Sequence, residues 1–576
     1  MTSEIIHKQI VEALKRANLP ESDFDVELAR DFAHGDYASN VALIVGKSTA
    51  VEPLGIAEKL LPYLGNDGDG YIEKVEIAGP GFLNFWLSEK YHSNVLQKAA
   101  IDPTSPRLRG ARWGWNDSLR GKKVMVEYTD PNVMKPFHIG HLMSNAIGES
   151  LSRLYEASGA QVSRTNYFSD VGLAIARAVW GMKEMKQTMP AETVDVRERT
   201  DFLGKAYAFG VKQAEEDESV MSEAKEINRQ IYVKQEGEYL ELYNIGRRWS
   251  LEHFDLLYKK LGSNFDHLIA ESEVSKPGLE MSWQALKQGI FTESEGAVVF
   301  PEEKSGLHTR VFVTKEQLPT YEAKELALVG KKHELFPFDS SITITANEQN
   351  DYFKVVLKAV DIILPELAGK TRHVSHGMLR LPSGKMSSRT GNVITGEALI
   401  NDVVLKAKEK NPDEKIAEGV AIGAIKYSIL KQQPGKDIIF DFEKSLSLEG
   451  DSGPYLQYAY ARARSVLEKS QSSNPKAQPN PNFQNLKLGE REKKLVRVIA
   501  RFPEIIKNAQ VHLAPQNICT YLIELASEFN SFYASNQIIN PEDKETTQLR
   551  LVLTAAVAQT LSNGLYTLGI PVLEHM

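Results

Sequence analysis

The stretch that decides the fold is Val124-Met-Val-Glu-Tyr-Thr-Asp-Pro-Asn-Val-Met-Lys-Pro-Phe-His-Ile-Gly-His141. It begins with an apolar run at 124–126, passes through two prolines and continues into a helix-like segment at 142–155. The pattern therefore predicts a strand, a loop and a helix. At such a junction the free N–H groups and the positive dipole end of the helix point into the crevice beyond the strand, where a phosphate group can bind.

Much later the chain contains Gly384-Lys-Met-Ser-Ser-Arg-Thr-Gly-Asn392, in which two glycines flank a lysine, two serines and an arginine. This composition predicts a loop whose Lys385 could place a point charge on a departing pyrophosphate. His138 and His141 suit hydrogen-bond donors to phosphate oxygens that gain negative charge in a transition state. Either segment alone could be a packed turn or a solvated loop, but the two in this order predict an ATP-binding site.

The two segments resemble the His-Ile-Gly-His and Lys-Met-Ser-Lys signatures of class I aminoacyl-tRNA synthetases, with Ser388 where the second signature has its last lysine. Within that class, the residues around both signatures are similar to arginyl-tRNA synthetases. Three further segments resemble the same family: His34-Gly-Asp-Tyr-Ala-Ser-Asn40, Ala78-Gly-Pro-Gly-Phe-Leu-Asn-Phe85 and Gly450-Asp-Ser-Gly-Pro-Tyr-Leu-Gln-Tyr-Ala-Tyr-Ala-Arg-Ala-Arg464. The resemblance therefore spans nearly the whole chain, from about His34 to Met576.

The sequence pattern and this resemblance imply an α/β fold class with a Rossmann-like doubly wound catalytic domain at 116–400. A small α/β N-terminal domain at 1–115 would bind the tRNA elbow, and an all-α domain at 451–576 would bind the anticodon. A long, charged helical insertion is expected at about 183–260. Residues 401–450 form a connecting segment after the second signature.

The resemblance implies ATP-dependent attachment of L-arginine to its tRNA through an arginyl-adenylate, with release of AMP and pyrophosphate. Catalysis would consist mainly of alignment and of stabilisation of phosphate charge. The residues expected to stabilise that charge are His138, His141, Lys385 and Lys135. Those expected to hold ATP are Gly140, which would make room for adenine, with His376, Gly377, Met378, Ser387 and Ser388.

Selection of arginine requires acceptors, because a guanidinium group carries five N–H donors and no acceptor. The resemblance assigns the guanidinium to Glu271, Tyr321 and Glu325, and the amino and carboxylate ends of arginine to Gln349 and Asn132. The family normally has aspartate at the position of Glu325. The extra methylene of glutamate keeps the negative charge but places it farther from the backbone.

Four residues match positions that contact tRNA in the family. Phe82 and Asn84 would touch the elbow, while Tyr455 and Tyr458 would contact the anticodon by stacking. Between Arg462 and Lys507 there are eleven basic and four acidic residues, a balance that suits RNA phosphates or a solvated helix face. His575 stands where arginine is usual near the family's C-terminus.

Composition limits the remaining possibilities. A net charge of −8 argues against a protein that coats nucleic acid indiscriminately. The single cysteine, Cys519, excludes a disulfide framework and a multi-cysteine zinc site, which makes cysteinyl-tRNA synthetase an unsuitable relative. No run suits a membrane span or signal peptide, so we expect a cytoplasmic protein without membrane partners. The resemblance adds ATP with Mg²⁺, no zinc, and a monomer.

Three other functions stay compatible with parts of the sequence. A different class I synthetase would share the ATP signatures but not the acidic pocket. A small-molecule nucleotidyltransferase would have no use for the helical domain after Asp451. A non-enzymatic, synthetase-like RNA-binding protein would typically have lost one signature.

Overall fold

The computed structural model describes residues 2–29, 31–65, 68–100, 112–301, 306–381, 395–473 and 488–576. The first domain contains strands β1 (Val26–Leu28), β2 (Tyr37–Ser39), β3 (Ile72–Ala78) and β4 (Phe82–Leu87), and helices α1 (Thr2–Arg16), α2 (Val41–Thr49), α3 (Pro53–Leu60) and α4 (Glu89–Ala99). The strands form an antiparallel sheet in the order β1-β2-β4-β3. Leu83, Phe85 and Leu87 alternate along β4 and are buried in the same core as Ile6 and Ile10 of α1.

The central domain is built on five parallel strands. They are β5 (Lys123–Glu127), β6 (Gln161–Phe168), β7 (His267–Ala270), β11 (Ser340–Ala346) and β12 (Thr371–His376). Their order is β12-β11-β5-β6-β7, and the helices that cover them include α5 (Ile139–Ala157), α10 (Glu271–Lys287), α11 (Tyr321–Leu335) and α12 (Asn350–Ile363). The predicted strand, loop and helix at 124–155 are confirmed. Because β5 is the middle strand, the crevice beyond it lies at the centre of the sheet.

Four helices form the crossover between β6 and β7: α6 (Leu173–Glu184), α7 (Val196–Glu216), α8 (Glu218–Val233) and α9 (Glu238–Leu261). The helical insertion therefore begins about ten residues before the predicted start at 183. Helix α6 belongs to it because glycines let α6 and α7 touch along their backbones. A Cβ atom on Gly181 would lie 2.1 Å from the carbonyl oxygen of Ala206, and one on Gly210 would lie 2.0 Å from that of Arg177.

A small antiparallel sheet that the sequence did not predict lies between α10 and α11. Its strands, in the order β10-β9-β8, are β8 (Thr292–Ser294), β9 (Ala297–Phe300) and β10 (Arg310–Val313). Phe291, Phe300 and Phe312 stack in its core, with ring centroids 4.4 and 5.6 Å apart. This sheet packs against α11 and so supports a helix that lines the crevice.

The chain continues through a connecting region into a helical domain. The connecting region contains β13 (Leu379–Arg380), α13 (Gly396–Lys410), α14 (Glu414–Leu430), β14 (Ile438–Ile439) and α15 (Phe442–Ser445). The last domain contains α16 (Gly453–Ser473), α17 (Glu490–Ala500), α18 (Phe502–Val511), α19 (Gln516–Ser535) and α20 (Lys544–Thr567). The predicted fold class is thereby confirmed. No helix within the described ranges combines the length and the hydropathy that a bilayer crossing requires.

The first and last domains are joined by a basic face of the helical domain. Arg497 donates to Asp36 at 2.6 Å, and its guanidinium lies 4.1 Å from the ring centre of Phe32. Three further basic residues of the same face bond to the first domain: Arg501 to the carbonyl of Ala29, Lys507 to Glu4 and Lys493 to Glu89. Part of the basic segment between Arg462 and Lys507 therefore forms contacts within the protein.

Candidate active site

The loop between β5 and α5 is held in an unusual backbone conformation. Thr129, Asp130 and Met134 have φ angles of 83°, 45° and 58°, in a region that residues with a side chain seldom adopt. Hydrogen bonds fix this shape: the amide of Met134 donates to Ser250 of the helical insertion, and Asp130 accepts from the amide of Tyr167. Such strain is maintained where neighbouring structure determines the loop, commonly at functional sites.

His138 and His141 meet at the start of α5. Their rings stack with centroids 3.5 Å apart, and the backbone N–H of His138 donates to Nδ1 of His141 at 3.2 Å. Because Nδ1 accepts a hydrogen bond, the proton of the His141 ring lies on Nε2. Burial and the nearby ammonium of Lys135 lower the pKa of His138 to about 4, and burial lowers the pKa of His141 well below 6.5. Both rings are therefore neutral hydrogen-bond donors at pH 7, not cations.

His376 ends β12, and Gly377 and Met378 follow it, on the other side of the crevice. His376 Nδ1 bonds to the carbonyl of Gly377 at 2.7 Å, and the amide of Met378 donates to Asp437. A Cβ atom on Gly377 would lie 2.3 Å from the carbonyl oxygen of Lys436. Because residue 377 is a glycine, the chain at the end of β12 can pack against Lys436, which lies just before β14.

Lys135 lies in the loop before α5, and Gly140 lies in the first turn of that helix. Burial lowers the pKa of Lys135, and the negative charge of Glu271 opposes that shift. The Lys135 ammonium also lies 5.3 Å from the ring centre of Tyr207 in the helical insertion. A Cβ atom on Gly140 would lie 2.9 Å from the ring of His138. In the absence of a nucleotide, Gly140 thus makes room for the histidine.

Glu271 is the first residue of α10 and lies directly after β7. Its side chain is 1% exposed, and Oε1 forms an ion pair with the ammonium of Lys324. Oε2 is buried and has no hydrogen-bond partner among the residues that the structure describes. The hydroxyl of the neighbouring Tyr167 is likewise buried and has no hydrogen-bond partner among the described residues. Two buried oxygens here can thus accept hydrogen bonds from a ligand that carries several N–H groups.

Tyr321 and Glu325 lie one turn apart on α11. Tyr321 is 65% exposed, whereas Glu325 is buried near Glu127 and Lys332. Burial and the charge of Glu127 raise the pKa of Glu325 to about 8, although the charge of Lys332 opposes this shift. Lys332 donates to Glu127 at 2.7 Å. Packing therefore disfavours the charged form of Glu325, a feature that the sequence did not indicate.

The remaining predicted contacts of arginine lie at the edge of the crevice. Asn132 forms an isolated bridge with Ser169 and is half-buried. Gln349 is exposed in the short helical turn 347–349 that follows β11. Both residues follow strands whose carboxyl ends meet at the crevice. Their roles stay predictions.

Lys385, Ser387 and Ser388 lie outside the described residues. The chain after them is described from Thr395, which forms an antiparallel bridge with His138. The amide of Gly396 donates to the carbonyl of Phe137 at 2.6 Å, and Glu397 bonds to His253 and Arg197 of the helical insertion. The described segment that follows the second signature is thus hydrogen-bonded to residues of the first signature.

The residues predicted to contact tRNA lie in two other places. Phe82 and Asn84 line a cavity of about 400 Å³ on the first domain, where Phe82 is exposed and Asn84 is buried. Tyr458 lines a cavity of about 600 Å³ on the helical domain together with Arg462, Tyr533 and the C-terminal residues. Tyr455 is half-buried and accepts a hydrogen bond from Asn530.

Two ion pairs of the site were missed by the sequence reasoning: Lys324–Glu271 and Lys332–Glu127. A lysine on a buried helix face signals a carboxylate partner. Because 205 residues separate Lys332 from Glu127, the sequence could not identify that partner.

Comparison with known proteins gives a consistent result over the whole chain. The family model "tRNA synthetases class I (R), catalytic domain" matches residues 111–442, which is more than half of the chain. "Arginyl tRNA synthetase N terminal domain" matches residues 4–87, and "DALR anticodon binding domain" matches residues 456–576. The three matches follow the three structural domains.

Similar proteins and structures point the same way. An arginine–tRNA ligase of Borrelia hermsii is 32% identical over 528 residues, covering 88% of each chain. One of Fusobacterium nucleatum is 31% identical over 588 residues, covering 100% of this chain and 99% of that protein. The solved structure of Thermus thermophilus arginyl-tRNA synthetase aligns over the whole of both chains with a TM-score of 0.81 at 25% identity.

Proposed function

Because this chain belongs to the arginyl-tRNA synthetase family, we propose that the crevice beyond β5 binds ATP against His138 and His141, and arginine against Glu271. The chain attaches arginine to tRNA. It is therefore not a class I synthetase for another amino acid, a small-molecule nucleotidyltransferase or a non-enzymatic RNA-binding protein. The observation that carries the site assignment is Oε2 of Glu271, which has no hydrogen-bond partner among the described parts of the chain. It offers a buried, anionic acceptor in the crevice that holds both histidines.

The reaction has two steps in this arrangement. The arginine carboxylate attacks the α-phosphate of ATP, so that arginyl-adenylate forms and pyrophosphate leaves. A ribose hydroxyl of the terminal adenosine of tRNA then attacks the arginyl carbonyl, and AMP leaves. Neither step requires a covalent bond to the enzyme. The chain's contribution is to align the reacting groups and to stabilise the charge that grows on phosphate.

Each polar residue of the crevice has a proposed role in that work. His141 donates Nε2–H to phosphate oxygens, His138 is a second neutral donor, and Lys135 adds a positive charge. Gly140 and residues His376, Gly377 and Met378 are proposed to contact the nucleotide. Lys385 is proposed to neutralise pyrophosphate, with Ser387 and Ser388 beside it. The attachment of Thr395 to His138 supports a position of that segment near the phosphates.

Magnesium would enter the crevice with ATP. Over the described ranges, no group of three or more His, Cys, Asp or Glu side chains could hold a metal ion. Mg²⁺ often keeps several waters and binds substrate phosphates, so the triphosphate would hold most of its coordination sphere. The ion would supply positive charge to the departing pyrophosphate.

Arginine is proposed to bind with its guanidinium between α10 and α11. Glu271 Oε2 accepts from one edge of the guanidinium, and Tyr321 lies against its face. Glu325 supplies the second carboxyl group. Asn132 and Gln349 are proposed for the carboxylate and amino ends of arginine.

We propose that tRNA contacts both end domains. Phe82 and Asn84 would meet the tRNA elbow, while Tyr458 and Tyr455 would contact the anticodon. The cavity beside Tyr458 supports the latter role, since Arg462 and Tyr533 add a cation and an aromatic face. We further propose a cytoplasmic monomer, as the family resemblance suggests.

The decisive experiment replaces Glu271 by Gln and measures KM for arginine and for ATP in arginyl-tRNA formation. Loss of a charge-assisted hydrogen bond predicts an arginine KM roughly 10- to 100-fold higher, with the ATP KM unchanged. Glu280→Gln is the matched control, because Glu280 is exposed on the same helix and pairs with Lys276. Equal increases in both KM values for Glu271→Gln would reject the assignment of Glu271 to arginine.

A further inference from the structure

The crevice contains a cation of the protein beside the position proposed for the guanidinium. The side chain of Lys324 is 6% exposed, and its ammonium forms the ion pair with Oε1 of Glu271. The same ammonium lies 5.2 Å from the ring centre of Tyr321 and 5.9 Å from that of Tyr232 in the helical insertion. Lys324 thus connects Glu271 to both flanking aromatic residues.

The position of Lys324 follows from the close approach of α10 and α11. A Cβ atom on Gly278 would lie 2.2 Å from the carbonyl oxygen of Ala323, so only glycine lets the two helices touch there. Ala323 precedes Lys324, and the packing therefore fixes the backbone from which the lysine extends. Glu271 lies two turns before Gly278 on the opposite helix, within reach of the lysine side chain.

We propose that Lys324 is a positioning residue for arginine recognition, which holds Oε1 of Glu271 and thereby presents Oε2, as an anionic acceptor, to the guanidinium of the substrate. The proposal rests on the proposed binding of arginine to Glu271. It adds the requirement that this carboxylate carry its charge before the substrate arrives.

Glu325 shows why a buried carboxyl group needs a cation here. Lys332 forms its ion pair with Glu127, and burial with the charge of Glu127 raises the pKa of Glu325 to about 8. Burial also disfavours the charged form of Lys324, but the charge of Glu271 and contacts with Tyr232 outweigh it and raise the pKa of Lys324. The ion pair with Glu271 thus stabilises the charged form of Lys324 despite its burial.

The other groups whose charges act on the Glu271 site come from several elements. They are Lys135 of the loop before α5, Tyr167 of β6, Tyr321 and Lys324 of α11, and Tyr352 of α12. Burial raises the pKa of each of the three tyrosines above its ordinary value, so they stay neutral at pH 6–9. Lys324 is then the cation bonded to the carboxylate.

The test replaces Lys324 by Met, which keeps most of the length of the side chain and removes its charge. Without the lysine, burial should disfavour the charged form of the Glu271 carboxyl group. We therefore expect the arginine KM at pH 7 to rise on the order of tenfold, the effect of weakening one charge-assisted hydrogen bond. The arginine KM should return towards the wild-type value as the pH is raised to 9, while the ATP KM stays constant.

Matched variants separate this role from a structural one. Lys324→Arg keeps the charge and should keep the pH-independent arginine KM. Lys324→Gln can still donate to Glu271 without a charge and should reproduce the pH dependence of Lys324→Met, so a folding defect of one variant does not decide the outcome. Lys331→Met, on the same helix and paired with Glu334, is the control that should match the wild type.

The assay is arginyl-tRNA formation between pH 6 and 9, with thermal unfolding to verify that each variant is folded. An unchanged arginine KM in Lys324→Met would overturn the proposal, and so would a lower one, which would show that Lys324 competes with arginine for Glu271. Parallel changes in the arginine and ATP KM values would also overturn it. If Glu271→Gln itself leaves the arginine KM unchanged, the proposed binding of arginine to Glu271 is wrong. If only the Lys324 variants leave it unchanged, that binding stands and the role of Lys324 is wrong.

Discussion

Arg497 is the residue whose replacement tests how the first domain is attached. Its guanidinium donates to Asp36 at 2.6 Å and to the carbonyl of Phe32 at 3.2 Å, and it stacks on the Phe32 ring. Asp36 also accepts from the amide of Leu87 in β4. In Arg497→Met the carboxylate of Asp36 would lose its cation while most of its surface stays buried.

The cost can be bounded from the exposure of the two side chains, which is 17% for Arg497 and 8% for Asp36. Removal of one partner of a buried ion pair costs roughly 3–5 kcal/mol, and the partial exposure of Arg497 favours the lower end, about 3 kcal/mol. Since 1.4 kcal/mol corresponds to a factor of ten, the population with an undocked first domain should increase on the order of a hundredfold.

Hydrogen exchange resolved by residue measures this directly. The Leu87 amide, which donates to Asp36, should exchange faster in Arg497→Met, because each undocking event frees the carboxylate from the helical domain. Lys494→Met is the control: Lys494 lies on the same helix and forms an exposed pair with Glu528, which is worth about 0–1 kcal/mol. If the two variants exchange at the same rate at Leu87, Arg497 does not hold the domain and the reasoning is wrong.

Two further predictions concern histidines. His141→Asn is expected to lower kcat on the order of a hundredfold through loss of one phosphate donor, with the arginine KM unchanged; steady-state kinetics would contradict this if KM rose instead of kcat falling. Burial lowers the pKa of His92 from 6.5 to about 4, so the stability that its neutral form contributes is complete above pH 6.5 and is lost as the pH falls towards 4. This contribution to the free energy of unfolding is about 3 kcal/mol. Urea unfolding between pH 4 and 7 should therefore show that the wild type loses stability more steeply with falling pH than His92→Gln. The same pH dependence in both proteins would refute the prediction.

The parts of the fold that sequence predicted well are those with a strong local pattern. The apolar run at 124–126, the two prolines and the helical segment after His141 predict β5, its loop and α5 without reference to the rest of the chain. The small sheet β8–β10 was missed because its strands are only three or four residues long, too short for a clear alternation. The start of the helical insertion was misplaced because α6 reads as an ordinary helix until its glycines meet α7.

The candidate site divides in the same way. Residue types and spacing pointed to His138 and His141, because phosphate requires donors, whereas the family resemblance supplied Glu271 as an acceptor for the guanidinium. Their pKa values were not accessible from the sequence: the packed chain lowers the pKa of both histidines and raises that of Glu325. Burial is a property of the packed chain and leaves little trace in local sequence.

The sequence by itself, through local patterns and through its resemblance to a known family, indicated the order of the domains, the two ATP signatures and the acidic residues proposed for arginine. Only the tertiary structure decided which charges meet. Lys324 reaches Glu271 across 53 residues, Lys332 reaches Glu127 across 205, and Arg497 reaches Asp36 across 461. The physical reason is that an ion pair depends on distance and desolvation, and both are set when helices and sheet pack together.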